Sequence, residues 1–168
     1  MDMREIMIDK VVVNIGVGEA GEKLQKAQKI LESITGAKPI RTKAKVRQPK
    51  WGLRPGLEIG VKTTLRKAKA LEFLKRCLVP KDFKIKESQF DNNGNFAFGI
   101  AEHIELPGAK YDPELGIVGF DVIVALKRRG YRVRDRSYRK AAIGKKHRIT
   151  KEEGIKFAEQ VLGIKVIK

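Results

Sequence analysis

Residues 6–15 alternate and then run apolar. Ile6 and Ile8 are followed by Val11, Val12, Val13 and Ile15, which predicts a strand. Gly16, Gly18 and Gly21 break the run. Residues 22–35 then take a helical period, with Leu24, Ala27, Leu31 and Ile34 on one face and Lys23, Lys26 and Lys29 on another. Gly36 is a natural stop and Pro39 lies just beyond. Residues 40–46 alternate again, this time with Arg41, Lys43 and Lys45 on the polar side. Residues 48–56 hold two prolines and two glycines and read as a loop. Leu57, Ile59, Val61, Thr63 and Leu65 then alternate with polar positions or Gly60, as a half-buried strand does. The two strands and the loop between them form a basic hairpin. A second helix is expected over 66–78, using Leu71, Leu74 and Leu78, with Pro80 ending it.

Asn92, Asn93 and Gly94 signal a turn between Phe90 and Phe96. Residues 117–126 are apolar and β-branched, hence a strand. The last helix starts at Thr150, which has capping-box spacing to Glu153, and Gly163 follows as its stop. Strand, helix, two strands, helix and further strands add up to an α+β fold. A largely antiparallel sheet carries helices packed on one face, and a basic hairpin loop protrudes. No internal repeat is evident, and the expectation is a single domain over 1–168.

Charge narrows the function. The chain carries 37 Lys and Arg against 20 Asp and Glu, a formal net charge of +17. Self-repulsion of that size lowers the stability of a packed domain, so a polyanionic partner is the simplest compensation. Nucleic acid is the first reading and an anionic membrane surface a distant alternative. Acids and bases are also segregated. Residues 82–121 hold eight acids and three bases, whereas 127–151 hold twelve bases and one acid, Asp135. The first kind of segment suits protein neighbours and the second suits RNA, on which it could become ordered. The single cysteine, Cys77, excludes an intrachain disulfide and reads as a small buried hydrophobe. The first ten residues lack an apolar signal core and no run approaches the length of a membrane span, so the expected location is cytoplasmic.

Catalytic and cofactor chemistry finds little support. Gly16 to Gly21 reads G-V-G-E-A-G between a strand and a helix, the context of a dinucleotide fingerprint. A nucleotide-dependent oxidoreductase is therefore the alternative function. It requires an acid about 20 residues on, where this chain has Arg41, Lys43 and Lys45 and no acid before Glu58. The same glycines could simply pack the helix on the strand, or offer helix-start amides to an RNA phosphate. His103 and His147 are far apart and one cysteine makes no zinc set, so neither a metal nor a cofactor is expected. Nothing pairs a nucleophile with a base, and the chain is not expected to be an enzyme.

The acid-free stretch 33–57 carries Lys38, Arg41, Lys43, Lys45, Arg47, Lys50 and Arg54. Strand alternation would put Arg41, Lys43 and Lys45 in a row at about 6.6 Å spacing, close to the phosphate repeat of a nucleic-acid strand. Trp51 either stacks on a base or ribose, or folds back as a loop anchor. Tyr131 and Tyr138 lie among Arg132, Arg134, Arg136, Arg139 and Lys140, a second mixture of aromatics and cations.

Five strings then carry a resemblance: V-V-V-N-I-G-V-G-E-A (11–20), I-T-G-A-K-P-I-R-T-K-A (34–44), I-G-V-K-T-T-L-R (59–66), F-D-N-N-G-N-F-A-F-G-I (90–100) and Y-D-P-E-L-G-I-V-G-F-D-V (111–122). Together, and in this order, they resemble the universal large-subunit ribosomal protein family that binds 5S ribosomal RNA, in its archaeal form. The resemblance implies a place in the central protuberance of the large subunit. It also implies contacts to 5S and large-subunit ribosomal RNA, to peptidyl-site transfer RNA, and to a head protein of the small subunit through an intersubunit bridge. It points to Asn14 and Thr64 as RNA contacts. Thr42, Lys38 and Arg66 belong with them and with the three strand cations. The loop of Arg47, Lys50, Trp51, Leu53 and Arg54 is the expected approach to transfer RNA. Ala37 stands where the family often has glutamine.

Overall fold

A computed structural model describes residues 2–109 and 111–167. The first strand, β1 (Ile6–Gly16), buries Val11, Val13 and Ile15 and leaves the residues between them half-covered. The same one-in-two burial recurs in β3 (Glu58–Leu65), β5 (Phe96–Ile100) and β6 (Phe120–Arg128). Together with β2 (Ile40–Lys43) they form an antiparallel five-stranded sheet of order β2-β3-β1-β6-β5. Alternating burial in every long strand means that one face of the sheet is covered. Helices pack against it, which is the α+β architecture expected from the sequence.

The chain clusters into two compact units. One comprises Met1–Val11, Arg66–Phe98 and Ile123–Lys168; the other comprises Val12–Leu65 and Gly99–Val122. In the second unit, α1 (Glu22–Thr35) turns Leu24, Ala27, Ile30, Leu31 and Ile34 inward and packs on β3. Gly36 ends it in the left-handed conformation, donating its N–H to Glu32 O. β2 is shorter than the alternation over 40–46 suggested. Its register with β3 shifts between Thr42 and Lys43, and Ala44 is buried. Backbone bonds from Ala44 N to Leu57 O (2.8 Å) and from Gly56 N to Ala44 O (3.0 Å) continue the pairing irregularly. Lys45 therefore lies outside the strand. Gln48 and Leu53 close the far end of the connection with reciprocal backbone bonds of 3.0 and 3.1 Å around a single 3₁₀ turn, Pro49–Trp51.

In the first unit, α2 (Lys67–Leu78) buries Ala70, Phe73, Leu74, Cys77 and Leu78. Leu71, expected on this face, is 37% exposed. The stripe already has members at i, i+3, i+4, i+7 and i+8, and Leu71 falls beside it. A short parallel pair, β4 (Lys84–Lys86) with β7 (Lys165–Ile167), was not anticipated; three residues give no readable period. The basic segment forms one helical turn, α3 (Arg132–Asp135), and is tied down by Tyr131, whose hydroxyl accepts from Ile149 N at 3.0 Å. α4 (Lys151–Leu162) starts at the expected Thr150. The Thr150 hydroxyl accepts from Glu153 N, and Glu153 accepts from Thr150 N. Gly163 ends the helix in the left-handed conformation.

Thr150→Ala removes one arm of this box and should cost about 1 kcal/mol in a denaturant titration. Glu153 titrates below the ordinary carboxylate range, first because Thr150 N–H donates to it and then through Arg128. A depressed carboxyl stabilises the fold while it is ionised. That contribution is therefore present at neutral pH and is lost as pH falls through about 4 and below.

Candidate RNA interface

Cross-strand partners in an antiparallel pair put their side chains on the same side. Arg41 pairs with Val61, which is fully buried, while Ile40 pairs with Lys62 and Thr42 with Gly60. Arg41 thus shares the helix-covered side. Its Nε donates to Gln28 Oε1 of α1 and its Nη1 to Glu58 Oε2, both at 2.9 Å. Ile40, Thr42 and Lys62 belong to the opposite, uncovered face, and alternation adds Thr64 from β3 and Asn14 from β1. Gly60 keeps this face open at its centre. An added Cβ would lie 2.8 Å from Ile15 O and 2.9 Å from the Thr42 hydroxyl.

Of the expected row, Lys45 lies outside β2 and Arg41 already has an anionic partner. The register shift after Thr42 places its extra residue, Ile59, on β3, so Arg41 and Lys43 keep their alternation. What the sheet does bring together is Asn14, Thr42 and Thr64, with Lys62 among them. Lys62 was not singled out from the sequence, although it stood among the polar positions of the 57–65 alternation. Lys38 is exposed at the entry to β2.

Along the connection, Arg47, Lys50 and Arg54 are exposed and Leu53 is half-buried. Trp51 is 73% exposed, which decides between its two readings: the indole does not anchor the loop. A large aromatic is thus kept in water beside three cations.

In the first unit, Arg66, Arg132 and Arg134 line one cavity of about 590 Å³. Arg136, Arg139 and Lys140 are exposed beyond it, and the Arg139 guanidinium sits 5.1 Å from the centroid of the exposed Tyr138 ring. Tyr131 does not join that surface. It is only 7% exposed, and its hydroxyl donates to His147 O at 3.4 Å while accepting from Ile149 N.

Val17 and Gly18 donate their N–H groups to Ile59 O at 3.0 and 2.8 Å, so the glycine turn is bonded to β3. The strand after α1 is an exposed edge strand antiparallel to its neighbour, whereas a dinucleotide fold needs a buried parallel one there. Burial pushes the Cys77 thiol up to about 12, where it is inert. His103 is buried, with Nδ1 accepting from Val118 N at 3.3 Å, and the His147 ring bonds to Arg129 O. Among the described residues no group of three His, Cys, Asp or Glu could hold a metal ion, and no helix is long and apolar enough to cross a membrane.

Residues 2–54 match the family described as ribosomal protein L5, and residues 58–157 match the model for the C-terminus of that ribosomal family. The chain is 55% identical to the large ribosomal subunit protein uL5 of Nanoarchaeum equitans, over 98% of each. It is 50% identical to that of Sulfolobus acidocaldarius, over 98% of this chain and 93% of the other. For Archaeoglobus fulgidus the identity is 52%, over 95% and 89%.

Proposed function

We propose, on the premise that this chain belongs to the ribosomal protein L5 family, that it is a non-enzymatic structural constituent of the large ribosomal subunit. In this reading residues 1–168 serve as one RNA-binding domain in the cytoplasm, holding 5S ribosomal RNA and touching large-subunit ribosomal RNA in the central protuberance. The observation that carries it is the uncovered sheet face, where Asn14, Thr42, Lys62 and Thr64 stand beside an acid-free stretch of seven cations. Lysines there neutralise phosphates and release counterions. The amide and the hydroxyls supply directional hydrogen bonds that set the register of the RNA.

The combined variant Asn14→Ala, Lys62→Gln, Thr64→Ala should bind 5S RNA about 300- to 5,000-fold more weakly, at about 1 kcal/mol per neutral hydrogen bond and about 1.5–3 kcal/mol for the charged one. Arg41→Gln should change affinity less than about threefold, because its charge is already spent on Glu58. Gel-shift titration decides. A silent triple variant, or a larger loss from Arg41, removes the uncovered face from the interface.

The connection at 47–56 has a different task, the approach to transfer RNA in the peptidyl site, with Trp51 on a base or ribose and Arg47, Lys50 and Arg54 on phosphates. The acidic-leaning 82–121 segment faces protein neighbours, and the bridge to a head protein of the small subunit is part of the same reading. Replacing residues 48–55 by a tight Asn-Gly turn should spare 5S binding and ribosome incorporation while lowering transfer RNA occupancy. Loss of 5S binding with normal occupancy would invert this division of labour.

A further inference from the structure

The cavity of about 590 Å³ in the first unit is lined by twelve residues, nine of them charged. Lys10 of β1, Arg66 ahead of α2, Lys127 of β6, and Arg132 and Arg134 of α3 face it, with Asp9 between them. Asp9 accepts from Lys127 Nζ at 2.7 Å and lies 3.8 Å from Arg66 Nη1. Arg134 is fixed by Asp135 at 2.9 Å and by the Tyr131 ring 5.4 Å from its guanidinium carbon. Arg128 and Arg129 also reach the lining, but they are engaged by Glu153 and Glu5. Two carboxylates thus serve five cations, and among the described residues no acid forms a salt bridge with Lys10 or Arg132. A concave, partly desolvated site strengthens that mutual repulsion, which a bound anion would relieve.

We infer that this cavity is a phosphate seat for a single RNA strand; this rests on the reading of the protein as RNA-binding. Its volume falls within the range that holds a nucleotide-sized ligand. Three guanidinium forks match phosphate oxygens bidentately. The contrasting occupant, an acidic peptide, would want an apolar centre of large side chains inside the ring of cations, and Met7 and Tyr131 are the only such side chains in the lining. The uncovered face supplies one lysine and three uncharged polar groups, which suits directional readout. The cavity supplies charge without direction to a base, which suits the backbone.

The test uses the full chain and a labelled oligouridine strand, titrated between about 50 and 200 mM KCl. Arg66→Gln, Arg132→Gln, Arg134→Gln should lower the salt slope by about 2 and affinity more than about tenfold, three single-strand phosphate contacts being lost. Arg66 and Arg134 are more than half exposed, so the variant should melt no lower than wild type. The matching lysine triple variant should keep most of the slope. A control variant, Lys84→Gln, Lys86→Gln, Lys165→Gln, removes as much charge from the same unit and should move the slope by less than about 1. Equal losses from cavity and control variants, a lysine variant as impaired as the glutamine one, or competition by polyglutamate as effective as by polyuridine would each overturn the seat. Wild-type protein that binds no RNA brings down the RNA-binding reading and the seat together. Wild-type binding with a silent cavity variant brings down the seat alone.

Discussion

Raising monovalent salt from about 50 to about 200 mM should weaken binding of structured RNA by about three to five orders of magnitude. That range applies to six to ten neutralised phosphates on a duplex, with smaller slopes for single strands. The structure says which cations can supply them. Lys38, Lys43, Lys45, Arg47, Lys50, Arg54 and Lys62 are exposed in one unit, and Arg66, Arg132, Arg134, Arg136, Arg139 and Lys140 in the other. Arg41 is held by Glu58 and Gln28, and Arg128 is buried on Glu153, so neither belongs in the count. These thirteen exposed cations are more than enough for six to ten contacts. Anisotropy titrations of labelled 5S RNA across that salt range measure the slope directly. A nearly flat slope would mean that uncharged contacts dominate, and the phosphate model would fail.

The sequence and the structure part company at identifiable places. α1 and α4 were legible to the residue because their ends are written locally, in Gly36, Gly163 and the Thr150–Glu153 box. β2 was overread because a register shift has no mark in an alternating string; Ala44 simply occupies an expected apolar position. The side on which Arg41 lies was not readable for a deeper reason. Alternation says which residues share a face, but only pairing with Val61 and contact with Gln28 say which face the helix covers. Tyr131 looked like a stacking residue because its neighbours are arginines. Its burial depends on Ile149 and His147, 16 to 18 residues away along the chain. Net charge and motif order were enough for the family, since both are properties of the string; the division of cations between engaged and available is a property of the fold.

Gly154→Ala should destabilise the protein by about 3 kcal/mol, against the usual direction for such a change. In an open helix interior, replacing Gly by Ala gains about 1 kcal/mol. Gly154 sits in the first turn of α4 and is buried. A Cβ there would lie 2.5 Å from both the Cα and the carbonyl oxygen of Gly94, so the obstruction is backbone and no rotamer change relieves it. The Gly94 turn has little freedom to retreat. Gly94 is at φ +74°, Asp91 Oδ1 accepts from Asn93 N and Asn95 N at 2.8 Å each, and Ile149 Cγ2 would lie 2.8 Å from a Cβ on Gly94 itself. Overpacking of this kind typically costs about 1–3 kcal/mol, and rigid backbone on both sides places it at the upper end. For a chain of this length that corresponds to a fall in melting temperature of about 6–12 °C. Gly144→Ala is the matched control. A Cβ there meets nothing within 4 Å and its φ is −55°, so its melting temperature should stay within about 2 °C of wild type. Thermal unfolding followed by circular dichroism separates the two. A Gly154→Ala protein that melts with the wild type would mean that α4 and the turn at Gly94 do not approach this closely in solution.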